Sequence, residues 1–270
     1  MKSGKVYLVG AGPGDPELLT LKAVKALKRA EVLLCDDLVH EDVLAYARPD
    51  ARVIHVGKRG GAASTSQAFI ERLMIAEARR GRTVVRLKGG DPMVFGRGGE
   101  ECEALRAAGI DFEIVPGITS GVAAATELGI ALTHRDSSPG VVFVTGHRRE
   151  GGPAVEWAAL AGSGLSLVIY MGVARSEEIR RGLIDGGLAP STPAAVVRNA
   201  TRRDRQAIAT TLDRLVDDMR AANMLSPAII IVGKAARVPG ECVASAPHQE
   251  HAGPEGLLRI LARRRLAREL

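Results

Sequence analysis

"VYLVGAGPGDPELLTLKA", residues 6–23, runs through three patterns in succession: a β-branched apolar run, a turn holding Gly10, Gly12 and Gly14, and a segment with helical spacing. A strand that passes through glycine into a helix is the first half of a βαβ unit. The same order returns in "VRLKGGDPMVFGRGGEE", residues 85–101, where five glycines stand among six charged residues directly after an apolar run. Glycine is least costly where the main chain takes positive φ or must touch a ligand. This second loop therefore reads as one whose backbone is approached closely.

Outward from these two stretches, short apolar runs at 6–9, 32–35, 53–56, 84–87 and 112–115 alternate with helix-like segments near 18–29, 42–47, 66–80 and 99–108. That alternation predicts βαβ units and a largely parallel sheet. Ser64, three residues before Gln67, forms a capping-box start for the third helix, and Gly81 marks its stop. A second set of runs follows at 141–145, 167–171, 195–198, 206–210 and 228–232, with helices near 176–185 and 212–222. The chain is thus expected to be α/β, with an N-terminal α/β domain over 1–117 and a C-terminal one over 118–240. The join falls between Pro116-Gly117 and the turn-rich stretch 133–140. Residues 241–270 are a basic tail ending in "LLRILARRRLAREL", whose leucine spacing predicts an amphipathic helix.

Composition narrows the class. Hydrophobic residues make up 46% and charged residues 25%, the proportions of a globular protein. Aromatics at 3% leave a core of aliphatic side chains, which suits parallel strands covered by helices. The apolar run 228–232 is far shorter than the roughly 20 residues that span a bilayer. No signal-peptide pattern precedes the first strand, so a cytoplasmic protein is expected. Cys35, Cys102 and Cys242 lie far apart without a CxxC, and the histidines have no ligand-like spacing. Neither a disulfide framework nor a metal site is expected. The net charge of +6 favours an anionic partner, while the scarcity of aromatics argues against stacking on nucleic acid.

The turn at 10–14 invites a dinucleotide reading, because Asp36 and Asp37 follow about 20 residues later where a ribose-binding acid would stand. The spacing is GxGxG, not GxGxxG, and Pro13 has no N–H to offer a pyrophosphate. A NAD-binding oxidoreductase therefore stays only as the alternative from a different class.

Taken in order, "GAGPGDPELLTLKA" (10–23), "VGKRGG" (56–61), "VRLKGGDPMVFGRGGEE" (85–101), "VPGITS" (115–120), "LTHRD" (132–136), "VTGH" (144–147) and "YMGV" (170–173) resemble the uroporphyrinogen-III C-methyltransferases, the sirohaem and cobalamin branch of the tetrapyrrole methylases. The resemblance runs from about residue 5 to 235 and leaves out the tail. It implies two α/β domains with mainly five-stranded sheets and an active site in the cleft between them. It also implies S-adenosylmethionine as co-substrate, S-adenosylhomocysteine as product, a tetrapyrrole substrate, no metal, no membrane or nucleic-acid partner, and a homodimer. The reaction implied is C-methylation of uroporphyrinogen III at two ring carbons, C2 and C7, giving precorrin-2.

By the same resemblance, Gly89, Gly90 and Asp91 meet the cofactor through their backbone, with Val94 on the cofactor side of that loop. Pro13 lines the trough, Thr119 and Ser120 offer hydroxyls and free N–H groups, and Met171, Asn199 and Ala200 complete the pocket. Asp36 and Lys58 correspond to the family's proton acceptor and donor. The acid's motif reads "CDDLV" (35–39), with Cys35 in place of the usual tyrosine and Asp37 as a second acid. Arg97, Glu100 and Arg135 are implied at the substrate, Arg97 also as a catalytic group. A guanidinium stays protonated below a pH of about 12, so anchoring of acetate and propionate groups suits Arg97 better than proton abstraction. Arg86 and Lys88 are expected to extend the same basic groove. A sibling precorrin methyltransferase is the nearest alternative, although siblings have a shorter "TGDP" form where this chain has "KGGDPMVFGRGGEE". With the first motif starting by Val6 and about 30 residues beyond the last strand, no fused oxidase–chelatase or synthase domain is expected.

Overall fold

The computed structural model describes residues 4–57, 65–147, 152 and 154–238. Lys58, Ser64 and the basic tail lie outside the described residues. The first half contains β1 (Lys5–Gly10), α1 (Leu21–Leu27), β2 (Val32–Cys35), β3 (Arg52–His55), α2 (Gln67–Arg79), β4 (Val84–Lys88), α3 (Gly98–Ala107) and β5 (Asp111–Val115). Its strands all pair in parallel, in the order β3-β2-β4-β1-β5. Helices cover both faces. Val32 and Leu34 pack with Ile70 and Met74 of α2 and Leu105 of α3, while Leu33 and Cys35 pack with Ala23, Ala26 and Leu27 of α1. With both sides of the pleat buried, the strands read as unbroken apolar runs.

Local chemistry sets the helix ends. Asp15 caps a 3-10 turn over Pro16–Leu18, and Thr20 then caps α1 by accepting a hydrogen bond from Ala23 N, so the helix expected from residue 18 begins three residues later. Ser66, not Ser64, caps α2 by accepting from Phe69 N. Gly81, at φ +80°, follows the last turn of α2 as expected. The helix expected near 42–47 is a 3-10 helix, Glu41–Tyr46.

α4 (Ser120–Glu127) leads to the second half: β6 (Val141–Thr145), α5 (Trp157–Ala161), β7 (Ser166–Tyr170), α6 (Ser176–Asp185), β8 (Pro193–Arg198), β9 (Gln206–Thr211), α7 (Leu215–Ala221) and β10 (Ala228–Val232). These strands form a second five-stranded sheet, β6-β7-β10-β8-β9. Unlike the first sheet it is mixed: only β6 and β7 run parallel, and β10 and β9 are antiparallel to their neighbours. The link between β8 and β9, residues 199–205, is too short for a crossover, which needs about a dozen residues, so β9 must return alongside β8.

In the first sheet β1 and β4 are neighbours, yet the chain leaves β1 towards β2 and leaves β4 towards β5, in opposite directions along the sheet. Beyond the carboxyl ends of these strands the connections therefore diverge to opposite sides, which makes this point a topological switch. That switch point is where open α/β sheets hold ligands.

Candidate active site between the two sheets

The loops after β1 and β4 are joined through their backbones. Ala11 N donates to Lys88 O at 2.8 Å, Gly12 N to Gly90 O at 3.2 Å, and Gly90 N to Gly12 O at 2.7 Å. Gly12 and Gly90 sit at φ +73° and +68°, a region that costs other residues about 1–2 kcal/mol. A third segment closes on them, since a Cβ on Gly117 would lie 2.2 Å from Gly90 O. Asp91 ties the bundle together: its Oδ1 accepts from Met93 N at 2.8 Å and its Oδ2 from Gly117 N at 3.0 Å. Gly96 and Gly98 likewise serve close backbone contact, since a Cβ on either would lie 2.5 or 2.4 Å from Pro92 O.

Above this floor a cleft of about 310 Å³ is shared by the two sheets. Pro13, Gly89, Gly90 and Val94 line it from the first half, and Met171, Asn199 and Ala200 from the second, with Thr119 and Ser120 at the start of α4 between them. Asp91 is not in the lining. Met171 and Asn199 have left-handed backbones, φ +54° and +51°, that turn the chain at the ends of β7 and β8. Asn199 Nδ2 donates to Asp204 Oδ2 at 2.7 Å, while its buried Oδ1 has no partner among the described residues. The walls are tied at one end, where Asp15 N donates to Thr201 Oγ1 at 3.0 Å and Thr201 N to Glu127 Oε2 at 2.9 Å.

Several lining residues escaped the sequence reading, among them Leu38, Phe95, Tyr170 and Arg202. Tyr170 OH lies 2.7 Å from Thr119 Oγ1 and accepts from Gly121 N at 2.9 Å. Burial raises the Tyr170 phenol above its ordinary value, against the opposing effect of these hydrogen bonds. Phe95 packs on it with ring centroids 4.7 Å apart. Both lie inside stretches quoted above for other residues. With so few aromatics in the chain, that placement was the available signal.

Beneath the cleft, β4 buries two charges. Its alternate residues Val84, Arg86 and Lys88 share the face covered by α2 and α3. There Glu101 Oε1 accepts from Arg86 Nε and Lys88 Nζ, each at 3.0 Å, and from Gln67 Nε2 at 3.3 Å. Arg86 Nη2 donates to Asp36 Oδ1 at 2.7 Å, and Lys88 Nζ is 3.9 Å from Asp36 Oδ2. Arg86 and Lys88, at 2% and 3% exposure, are therefore not the basic groove surface expected of them. Burial would lower the Arg86 guanidinium, but Asp36 and Glu101 together hold it above its ordinary value. Burial, then the Arg86 charge, push the Lys88 ammonium below its ordinary value despite Glu101 and Asp36. Asp36 is occupied by Arg86, which argues against its serving a nucleotide ribose. It stands two residues before Leu38, which lines the cleft.

Arg97 and Glu100 are exposed at the start of α3 and pair with each other, Nη2 to Oε2 at 2.6 Å. The Glu100 carboxylate, foremost, raises the Arg97 guanidinium further, which keeps it cationic. Arg135 is exposed in the turn between α4 and β6. Among the described residues no cluster of histidine, cysteine, aspartate or glutamate could hold a metal ion. No described helix is long and apolar enough to cross a membrane.

A profile of the Tetrapyrrole (Corrin/Porphyrin) Methylases matches residues 5–216. The chain is 55% identical over 235 residues to a uroporphyrinogen-III C-methyltransferase of Pseudomonas aeruginosa, covering 87% of this chain and 95% of the relative. Among solved structures, it is similar to a uroporphyrin-III C-methyltransferase from Thermus thermophilus complexed with S-adenosylhomocysteine, with a TM-score of 0.75 and 43% identity over 87% of this chain and 99% of that one. It is also similar to a cobalt precorrin-4 methyltransferase, a cobalamin biosynthetic enzyme, with a TM-score of 0.79 and 33% identity over 86% and 96%.

Proposed function

The chain belongs to the tetrapyrrole (corrin/porphyrin) methylase family, and on that premise we propose that it methylates uroporphyrinogen III. It transfers methyl groups from S-adenosylmethionine to C2 and C7, releasing S-adenosylhomocysteine each time and giving precorrin-2 for sirohaem and cobalamin biosynthesis. The observation that carries this reading is the glycine-floored cleft at the switch point of the first sheet, in a chain 55% identical to such an enzyme.

The cleft suits the co-substrate. Leu38, Val94, Val197 and Ile229 give it apolar walls, the Gly89–Gly90 backbone leaves its floor bare of side chains, and Asn199 Oδ1 is a buried acceptor without a partner among the described residues. We assign Pro13, Gly89, Gly90, Val94, Thr119, Ser120, Met171, Asn199 and Ala200 to holding it, with Asp91 supporting the loop from behind. When bound, S-adenosylmethionine supplies a methyl group already activated on sulfonium. The chain's task is to hold a pyrrole carbon in line with that methyl group and to exclude water. Positioning of this kind accounts for about 7–11 kcal/mol of a barrier.

Arg97 and Arg135 anchor the substrate's carboxylates through forked, charge-assisted hydrogen bonds, with Glu100 orienting Arg97. Asp36 accepts the proton that the methylated macrocycle loses, and Lys58, outside the described residues, is assigned as donor. We further take residues 1–117 and 118–240 as two α/β domains and 241–270 as a basic tail. Two sheets with separate core clusters support that division. A cytoplasmic homodimer completes the reading.

The deciding experiment is anaerobic incubation of the purified chain with S-adenosylmethionine and uroporphyrinogen III, followed by mass measurement of the tetrapyrrole. A gain of two methyl groups is expected. No gain, with S-adenosylmethionine still bound, would overturn the substrate assignment in favour of a later precorrin.

A further inference from the structure

The buried charges on β4 ask for a reason that stability does not supply. Replacing a buried ion cluster by well-packed apolar residues generally leaves a protein as stable or more so. Yet β4 carries Arg86 and Lys88 on its α2/α3 face, and α3 meets them with Glu101, which is fully buried. Every edge of the Arg86 guanidinium is held. Nε donates to Glu101 Oε1 at 3.0 Å, Nη1 lies 3.3 Å from both Leu34 O and Leu87 O, and Nη2 donates to Asp36 Oδ1 at 2.7 Å.

We propose that Arg86 and Glu101 are positioning residues for Asp36: Glu101 fixes the guanidinium, and the guanidinium fixes one carboxylate oxygen of Asp36, two residues before the cleft-lining Leu38. This rests on the reading of Asp36 as proton acceptor. With Oδ1 engaged by Arg86, Oδ2 is left to take the proton, and Lys88 Nζ stands 3.9 Å from it. The order of the elements explains the arrangement. Asp36 follows β2, Arg86 lies on the neighbouring β4, and Glu101 comes from the helix after β4, so a carboxylate on a turn is braced by a strand and a helix. A lysine at position 86 would bring a charge but no planar fork to share between two carboxylates.

The test compares Arg86→Lys, Glu101→Gln and Asp36→Asn in the full chain, measuring kcat, KM for uroporphyrinogen III, Kd for S-adenosylhomocysteine and Tm. Misplacement of a reacting group by about 1 Å is worth about 100-fold in rate. Arg86→Lys is therefore expected to lower kcat by about 30- to 100-fold and Glu101→Gln by about tenfold, with KM and Kd changed less than about threefold. In an Asp36→Asn background, followed by S-adenosylhomocysteine release, adding Arg86→Lys should lower the residual rate no further. Should Arg86→Lys not fold, Glu101→Gln keeps the side-chain shape and carries the same comparison. If Asp36→Asn turns over normally, the proton-acceptor assignment itself fails. If Asp36→Asn is inactive while Arg86→Lys and Glu101→Gln keep full kcat, the positioning inference alone falls. Losses that add to that of Asp36→Asn and track a fall in Tm and in S-adenosylhomocysteine affinity also overturn it, in favour of a scaffold role.

Discussion

β4 and β10 are the middle strands of their five-stranded sheets and are buried along their whole length, yet one reads VVRLK and the other AIIIV. β10 is what a buried strand needs for stability: Ile230 packs with Leu167, Ile169, Val196 and Leu215 in an apolar cluster. β4 gives two of its five positions to cations that must be matched by Asp36 and Glu101. The loops differ in the same way. The first sheet reaches the cleft largely through bare backbone at Gly89 and Gly90, the second through side chains on strained turns at Met171 and Asn199. On the proposed reading the first half therefore carries most of the reacting groups, and the second lines the opposite side of the cleft.

Substitutions can break that contrast, and the largest effect is expected at the backbone junction. Gly117→Ala would place a Cβ 2.2 Å from Gly90 O and 2.9 Å from the Gly10 backbone. Since none of these atoms can swing aside, S-adenosylhomocysteine binding should fall by at least about 100-fold in a calorimetric titration, about 2.7 kcal/mol or more. Ile230→Ala in β10 should instead cost about 2–5 kcal/mol in denaturant unfolding while leaving that affinity within about threefold. Equal loss of affinity in both variants would erase the division of labour.

Gly172→Ala is the matched control for Gly117. The atoms nearest its Cβ would be side-chain methyls of Ile169, Ile179 and Ile230 at 3.1–3.2 Å, so about 1 kcal/mol of overpacking is expected. The smallest effect concerns acid. Asp218 on α7 accepts from the Thr210 hydroxyl at 2.5 Å and from Arg214 at 3.0 Å, and these partners hold its carboxyl below the ordinary 3.8 despite burial. A depressed folded pKa stabilises above 3.8 and loses that contribution as the pH falls through the lower folded value. Asp218→Asn should flatten the decline in Tm below about pH 4 without touching turnover.

Much of this was legible beforehand because unbroken apolar runs and glycine loops are direct consequences of a doubly covered sheet and a crowded strand end. The two five-stranded sheets and the lining roles of Pro13, Gly90, Met171 and Asn199 follow from such signals together with the family motifs. Strand direction was not legible in the second half, because an apolar run reads alike either way. Arg86 and Lys88 were misread for a physical reason: a cation in a strand suggests surface unless its partner is recognised. That partner, Glu101, lies in the first turn of the next helix, one residue past the exposed Glu100. Tyr170 was hidden because a lone aromatic beside a strand end reads as core.

The cleft has one wall on each of two core clusters, joined by the Asp15–Thr201 bond at one end and by Phe95 and Val94 packing against the second. A molecule seated between them is bound by the folded protein alone, so at 100 times its Kd it adds about 2.7 kcal/mol to the unfolding free energy. It also draws both cores into a single melting event. If, as proposed, that molecule is the methyl donor, it acts as a removable staple, and the protein's lifetime against heat and proteases is expected to rise and fall with the supply of its own co-substrate.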